Sequence, residues 1–381
     1  DTAVGPPLHG PLTGIGRAVT GMRVGLTERQ NASETGPGDA APIRLVPYVL
    51  SYRAALGAGV TRLPYPAALA IRSWGTIPWP RPDRHLDHGA HGRIDVVHGT
   101  NYVVPPSSRP TIVSVYDCWA LDNPGSASPM VNRAMTALRR AVSRGAIVHA
   151  SSHATAEACR RHFGECDIEV IHLGGPVRHV HSPSHISTLP IGGHDALAHG
   201  VPFVLSVGTL ERRKNLPHLV RAFASVDADD TLLVLAGGSG DDEQAVHDSI
   251  DALPEHVRAR VVLTGRVDDA SLHWLYSNAT VVAYPSLDEG FGFPVLEAMA
   301  YGVPVVASRV GSIPEVAGDG ALLVSAHDAD ALAGALESAL TDRALRESLI
   351  SEGHRRTGIF TWSATVDGLV RLYSRAARML A

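Results

Sequence analysis

Two short segments hold residue types whose spacing could do chemistry. In Val207-Gly208-Thr209-Leu210-Glu211-Arg212-Arg213-Lys214-Asn215, three cations stand in a row where a strand pattern gives way to a helical one. The unpaired N–H groups and positive dipole end of a helix start attract anions, phosphate above all. Of the 33 basic residues in the chain, 32 are Arg, and Lys214 is the single lysine. An ammonium is a compact point charge and a guanidinium a planar fork, so the two are not interchangeable at a phosphate. On composition alone the cluster could equally be a solvated run of charge. Its place at the end of a strand favours a ligand.

The second segment is Pro285-Ser286-Leu287-Asp288-Glu289-Gly290-Phe291-Gly292-Phe293-Pro294-Val295-Leu296-Glu297. A strand ends at Pro285, and a Gly-rich loop enters a helix whose first turn is marked by Pro294. Gly290 and Gly292 let the backbone approach a ligand and can supply a positive φ. Glu297, about one turn into the helix, can point back at the ligand that Glu289 meets. Carboxylates accept hydrogen bonds from the vicinal hydroxyls of a ribose or a hexose. Gly-x-Gly alone is a weak signal, and Glu297 alone could be a helix-terminus charge; the full spacing is specific.

The elements that must hold these loops can be read around them. Strand-like runs cover 201–207, 231–236, 260–263, 280–284, 303–307 and 321–324. Helical patterns at 216–226, 243–253, 270–279, 294–301 and 329–340 fall between them. Apolar strands without polar alternation, separated by amphipathic helices, predict a parallel sheet covered on both faces. The first half repeats this α/β grammar more weakly. Its strands are expected at 43–51, 96–98, 112–115, 147–150 and 169–171, and its helices near 15–27, 131–142 and 154–162. No opening strand precedes the first helix, so the chain begins late or a neighbouring strand fills the gap. Residues 355–380 add a last helical pattern. The expected organisation is a first domain over 1–176, a linker over 177–200 rich in Pro, His, Ser and Gly, a second domain over 201–357, and a terminal helix over 358–381. Two such domains would place a binding site at the carboxyl ends of their strands, in the cleft between them.

Composition narrows the function classes. At 381 residues, 45% apolar and 19% charged, the chain can bury two cores and is not fibrous or disordered. No uncharged apolar run reaches the roughly 18 residues that span a bilayer, and no signal peptide is legible. Cys118, Cys159 and Cys166 lack metal-ligand spacing and are expected to be reduced cytoplasmic thiols. Residues 1–200 carry 18 Arg against 14 acidic groups, and 201–381 carry 15 basic against 24 acidic. The weakly basic first half could favour an anionic acceptor or membrane surface, but is within ordinary scatter. It is no basic stripe of a nucleic-acid binder.

The segment from Glu289 to Glu297 resembles the E-x7-E signature of family-four retaining glycosyltransferases of the GT-B fold. Residues 298–308 and Ile313-Pro314-Glu315-Val316 are similar to that family as well, and the Gly208–Asn215 loop resembles its diphosphate-binding loop. His98-Gly99-Thr100-Asn101 and Thr13-Gly14-Ile15-Gly16-Arg17 are similar to its first domain. The resemblance implies two facing Rossmann-like domains with a cleft between them, and a terminal helix crossing back onto the first. It implies that Lys214 and Arg213 hold a nucleotide diphosphate with Gly208 and Thr209. Glu297 would bind the ribose, and Glu289, with Gly290, Phe291 and Gly292, the transferred sugar, beside Val295. Gly14 and Gly16 would close over the phosphates, and Gly265, Arg266 and Val267 would lie along the base. The reaction implied is transfer of a hexose, mannose being one candidate, from GDP-mannose or a UDP-sugar to a glycan or lipid-linked acceptor.

Two departures stand out. Thr209 occupies a position where some members carry Arg, which gives the second charge to Arg213. In Val115-Tyr116-Asp117, Tyr116 stands where the family often has a His near the reaction centre, next to Asp117, which the resemblance puts among the catalytic groups. A phenol donates a hydrogen bond but cannot replace an imidazole near neutral pH. With Lys214, Arg213 and the helix start facing the departing diphosphate, no metal or other cofactor is expected. Asp227 and Asp229 read as a solvated turn, and His85, His88 and His91 as a loop rather than a zinc site. No covalent nucleophile is legible, which favours front-face transfer. Residues 63–82, with Tyr65, Trp74 and Trp79 beside Arg62, Arg72 and Arg81, read as core helix and loop or as a peripheral contact with the inner face of a membrane. The alternatives are a nucleotide-sugar epimerase of the same fold and a catalytically weakened nucleotide-sugar-binding subunit.

Overall fold

A computed structural model describes residues 14–35, 43–50, 60–87, 93–176 and 200–379. The chain divides into two compact units, Asp1–Gly174 with Phe360–Ala381, and Gly175–Ile359. The expected linker falls almost wholly outside the described residues, as do Thr13, His88 and His91.

The first unit opens on the helix Gly14–Thr35. Strands β1 (Tyr48–Val49) and β2 (Thr61–Arg62) form a small parallel pair, and β3 (Val97–Gly99), β4 (Thr111–Val115), β5 (Ile147–Ala150) and β6 (Ile168–Val170) a parallel sheet in that order. Every residue of Ile147–Ala150 is buried, as a strand covered on both faces requires. Its core gathers Leu63, Val113, Val115, Leu138, Val148 and Cys159. The strand expected over 43–51 shrinks to Tyr48–Val49 within the described residues. The helix Trp362–Arg378 belongs to this unit, with Trp362 packed over Gly21 and Gly174.

The single helical pattern expected over 355–380 is two helices. Arg343–Thr357 ends at Gly358, and Trp362–Arg378 starts afresh at Thr361, whose side chain accepts from the Ala364 N–H at 3.2 Å. Glycine is a poor helix interior and threonine a good N-cap, so the chain breaks between the two helices.

In the second unit β7 (Phe203–Val207), β8 (Leu232–Ala236), β9 (Val261–Gly265), β10 (Val281–Tyr284), β11 (Val305–Ser308) and β12 (Ala321–Val324) form one sheet in the order β12-β11-β10-β7-β8-β9. All the pairings are parallel. The chain steps outward from β7 to β9, then returns to the other side of β7 with β10. The reversal lies between β7 and β10, and the loops leaving their carboxyl ends flank the crevice where open α/β sheets bind ligands. Val204, Leu219, Phe223, Leu233, Val281 and Leu336 anchor the core beneath it. Among the described residues no helix is long and apolar enough to cross a membrane.

Candidate functional site

The cationic loop leaves β7 and the Gly-rich loop leaves β10, so the topology brings the two sequence motifs together. Arg212–Lys214 forms a 3-10 turn, and Asn215 then adopts a left-handed backbone with φ 56°. Its amide Nδ2 donates to the carbonyls of Pro285 at 3.1 Å and Ala326 at 2.9 Å. The Leu287 N–H donates to the Arg213 carbonyl at 2.8 Å, stitching one loop to the other. Gly292 turns the second loop into the helix Phe293–Ala300 at φ 91°, a conformation other residues rarely adopt.

Glu289 is the hub. Its Oε1 lies 2.7 Å from Lys214 Nζ and its Oε2 2.7 Å from Arg213 Nη1. Ser286 Oγ donates to Oε1 at 2.9 Å. Lys214 Nζ also donates to Tyr284 Oη at 2.6 Å, which occupies two of its three protons. Arg213 Nη1 reaches the Asp288 carbonyl at 3.2 Å. Both Glu289 and Lys214 are buried. Burial alone would raise the Glu289 carboxyl, but Arg213 and Lys214 outweigh it and hold the group at about 2. Burial pushes the Lys214 ammonium down, and Glu289 opposes that shift. The backbone is fixed from behind: Ser312 donates to the Glu289 carbonyl through N–H at 2.9 Å and Oγ at 3.0 Å. A Cβ on Gly311 would sit 2.3 Å from that carbonyl, and its φ is 50°, so only glycine fits.

The other residues singled out in the second unit lie on the same unit as this hub. Glu297, buried in the helix Phe293–Ala300, accepts from Tyr276 Oη at 2.7 Å. Phe291 and Val295 are buried beside it in sequence, and Gly265 ends β9 at φ 64°, followed by Arg266 and buried Val267. Gly208 and Thr209 continue β7, the Gly208 N–H donating to the Ala236 carbonyl at 3.0 Å. Arg212 is exposed, and its N–H is taken by Asp241 Oδ1 at 3.0 Å. Gly14, Gly16 and Asp117 belong to the first unit. Gly14 and Gly16 open its first helix. Asp117 Oδ1 accepts from the Trp119 N–H at 3.1 Å, and the Asp117 N–H donates to Tyr102 Oη at 3.1 Å. Tyr116 Oη donates to the Thr100 carbonyl, and burial pushes its phenol up. That side chain holds the turn after β3.

Sequence reasoning missed Tyr284, Ser286, Ser312 and Tyr276. The segments holding Tyr284 and Ser286 were on view and Ser312 falls just before one, but a buried hydroxyl has no spacing signature. Tyr276 comes from another helix altogether.

The first unit contains a polar row of a different kind. His98 Nδ1 meets Tyr373 Oη at 2.8 Å, and His98 Nε2 meets Ser114 Oγ at 2.8 Å. Ser114 Oγ then meets His149 Nδ1 at 2.8 Å, and His149 Nε2 meets the Ile171 carbonyl at 3.0 Å. A carbonyl only accepts, so His149 Nε2 carries a proton. For the neutral ring, Ser114 then donates to Nδ1, His98 Nε2–H donates to Ser114, and Tyr373 donates to His98 Nδ1. Burial holds His149 at about 4 and pushes His98 well down, in keeping with two neutral rings.

Residues 194–356 match the family model for glycosyl transferases group 1. The chain is 33% identical over 174 residues to O-antigen chain mannosyltransferase B of Escherichia coli, covering 45% of each chain. It is 35% identical over 171 residues to phosphatidyl-myo-inositol mannosyltransferase of Mycobacterium leprae, covering 44% of each. The matched stretch thus spans less than half the length of these curated relatives. Among solved structures, WaaG, a glycosyltransferase involved in lipopolysaccharide biosynthesis, superposes with a TM-score of 0.63 at 16% identity over 96% of this chain and 97% of that one. Anabaena HepE, solved with UDP and glucose, gives 0.58 at 24% identity over 70% and 72%. The chain has the GT-B fold, and the family resemblance drawn from its motifs holds over the unit that carries them.

Proposed function

We propose that the chain is a retaining, metal-independent glycosyltransferase that moves a hexose, mannose first among the candidates, from a nucleotide-diphosphate sugar to a glycan or lipid-linked acceptor. The observation that carries this is the buried Lys214–Glu289–Arg213 cluster at the switch point of the second sheet. Two preorganised cations are aimed by one carboxylate, so charge developing on a departing diphosphate meets fixed positive groups. Glu297 accepts the ribose hydroxyls, and Glu289 with the 290–292 backbone borders the sugar. The names of the relatives support mannose, and the UDP complex of HepE supports a nucleotide donor.

A peripheral membrane contact fits the segment around the helix Ala67–Trp74. Leu69 and Trp79 are 64% and 68% exposed, in a stretch that carries Arg72 and Arg81. Such aromatic and basic groups suit an interface with anionic lipid.

The test is turnover of GDP-mannose, UDP-glucose and other nucleotide sugars, with melting shifts read in parallel. A ligand at about 100 times its Kd stabilises by about 2.7 kcal/mol. Stabilisation by a nucleotide sugar followed by release of its nucleotide supports the reading. Binding without turnover of any donor would favour the binding-subunit reading instead, to which Tyr116, engaged with Thr100, lends its one observation.

A further inference from the structure

We propose that Tyr276 is the positioning residue that sets the Glu297 carboxylate for the ribose hydroxyls, and so governs how strictly the site selects ribonucleotides. The proposal rests on the reading of Glu297 given above. A glutamate side chain has three rotatable bonds, and a vicinal diol needs a carboxylate whose plane is fixed. The Tyr276 hydroxyl donates to Glu297 Oε2 at 2.7 Å from a second helix, Asp269–Asn278.

The phenol is itself held. Tyr276 is 1% exposed, and its ring stacks on Tyr301 at 5.4 Å between centroids and 12° between planes. Tyr301, just past the end of the helix that carries Glu297, bonds through its hydroxyl to His273 Nδ1, one turn before Tyr276. Glu297, Tyr276, Tyr301 and His273 therefore tie two helices together with the carboxylate at one end. A hydrogen bond to an ionised acceptor is stronger and more directional than a neutral one. A carboxylate has about four acceptor positions, so accepting from the phenol is compatible with a diol on the same group.

The measurement is calorimetric affinity for GDP and UDP and for their 2′-deoxy and 3′-deoxy counterparts, in the wild type and in Tyr276→Phe. For the better nucleotide, the wild type should lose about 10- to 150-fold on removal of a ribose hydroxyl. In Tyr276→Phe the ratio should fall most of the way to one, with KM for the donor raised and kcat at saturation within about twofold. Tyr301→Leu, which removes the stack and keeps the Tyr276 hydroxyl, should give an intermediate ratio, and it serves in place of Tyr276→Phe if that variant does not fold. A wild type that binds neither nucleotide, or binds without discriminating, sinks the Glu297 reading and this proposal with it. A discriminating wild type whose ratio survives in the folded variants overturns the proposal alone.

Discussion

In the second unit a lysine, an arginine and a glutamate are buried or nearly so as ions, whereas in the first unit buried His149 and half-buried His98 are held without charge. Both arrangements satisfy polar groups away from water, by opposite means. The ionic cluster carries two cations for one carboxylate and sits where two loops leave a sheet, so it retains attraction for an anion. The histidine row ends on a backbone carbonyl at one side and on Tyr373 of the terminal helix at the other, and every proton in it is assigned. One keeps a net positive charge at the carboxyl ends of two strands. The other fastens a helix to a sheet.

The sharpest way to break this contrast is to remove the hub. Glu289→Gln leaves Lys214 and Arg213 facing each other without their shared anion, and breaking a buried pair costs about 3–5 kcal/mol. Read from the sequence, Glu289 touches the sugar, and its loss would lower kcat while sparing nucleotide affinity. The ion pairs add a second job, so the expected outcome is a lower denaturant midpoint together with altered nucleotide affinity, and bound nucleotide should restore part of the stability. A variant of normal stability and normal nucleotide affinity would show that the cluster is not the anchor of the loop.

The next largest effect separates neighbouring cations. Lys214 is buried on Glu289 and Tyr284, while Arg212 is exposed. Lys214→Ala should cost on the order of 10²–10³ in turnover, as loss of one preorganised charge does, and Arg212→Ala should cost little. Equal small losses in kcat/KM would remove the diphosphate assignment.

The two regions also differ in how far they were legible. Lys214, Arg213, Glu289 and Glu297 could be picked out because their charges sit at fixed offsets from a strand end and a helix start. The second sheet was legible for a related reason, since a strand buried on both faces is a continuous apolar run, as in Leu232–Ala236. The first sheet is spelled with His98, Ser114 and His149 among its apolar residues, which blurs that signal. Nothing in the sequence could pair His98 with Tyr373, 275 residues apart. The terminal helix expected from residue 358 starts instead at Trp362, because Thr361 caps it.

Acid should tell the units apart. His149 is held at about 4 against an ordinary 6.5, so the unfolded chain binds a proton in that window and the folded chain does not. Its contribution is present above pH 6.5 and is lost as pH falls toward 4, about 3 kcal/mol in all. Glu289, at about 2 against 4.5, contributes above pH 4.5 and loses that as pH falls toward 2. The first unit should therefore weaken first, and His149→Gln should flatten the stability profile between pH 6.5 and 4 while Glu289→Gln flattens it below 4.5. Chemical denaturation at stepped pH reads both slopes. A His149→Gln profile as steep as the wild type's would mean that His149 is charged in the fold.

The smallest expected effect is a null one, and it bears on whether the ionic cluster suffices for its task. A metal ion at a departing diphosphate supplies positive charge where negative charge develops. Lys214 and Arg213 supply two such charges, aimed by Glu289 within 2.7 Å of each. Donor turnover should therefore be unchanged by EDTA and by added Mg²⁺ or Mn²⁺. The comparison gains from doing this in Lys214→Ala as well. If the ammonium fills the role a metal would fill, added Mg²⁺ can recover only a small part of the lost rate, because Tyr284, Ser286 and Glu289 shape the place for an ammonium and offer one carboxylate. Wild-type activity abolished by EDTA and restored by a divalent ion would show that the two cations are not enough.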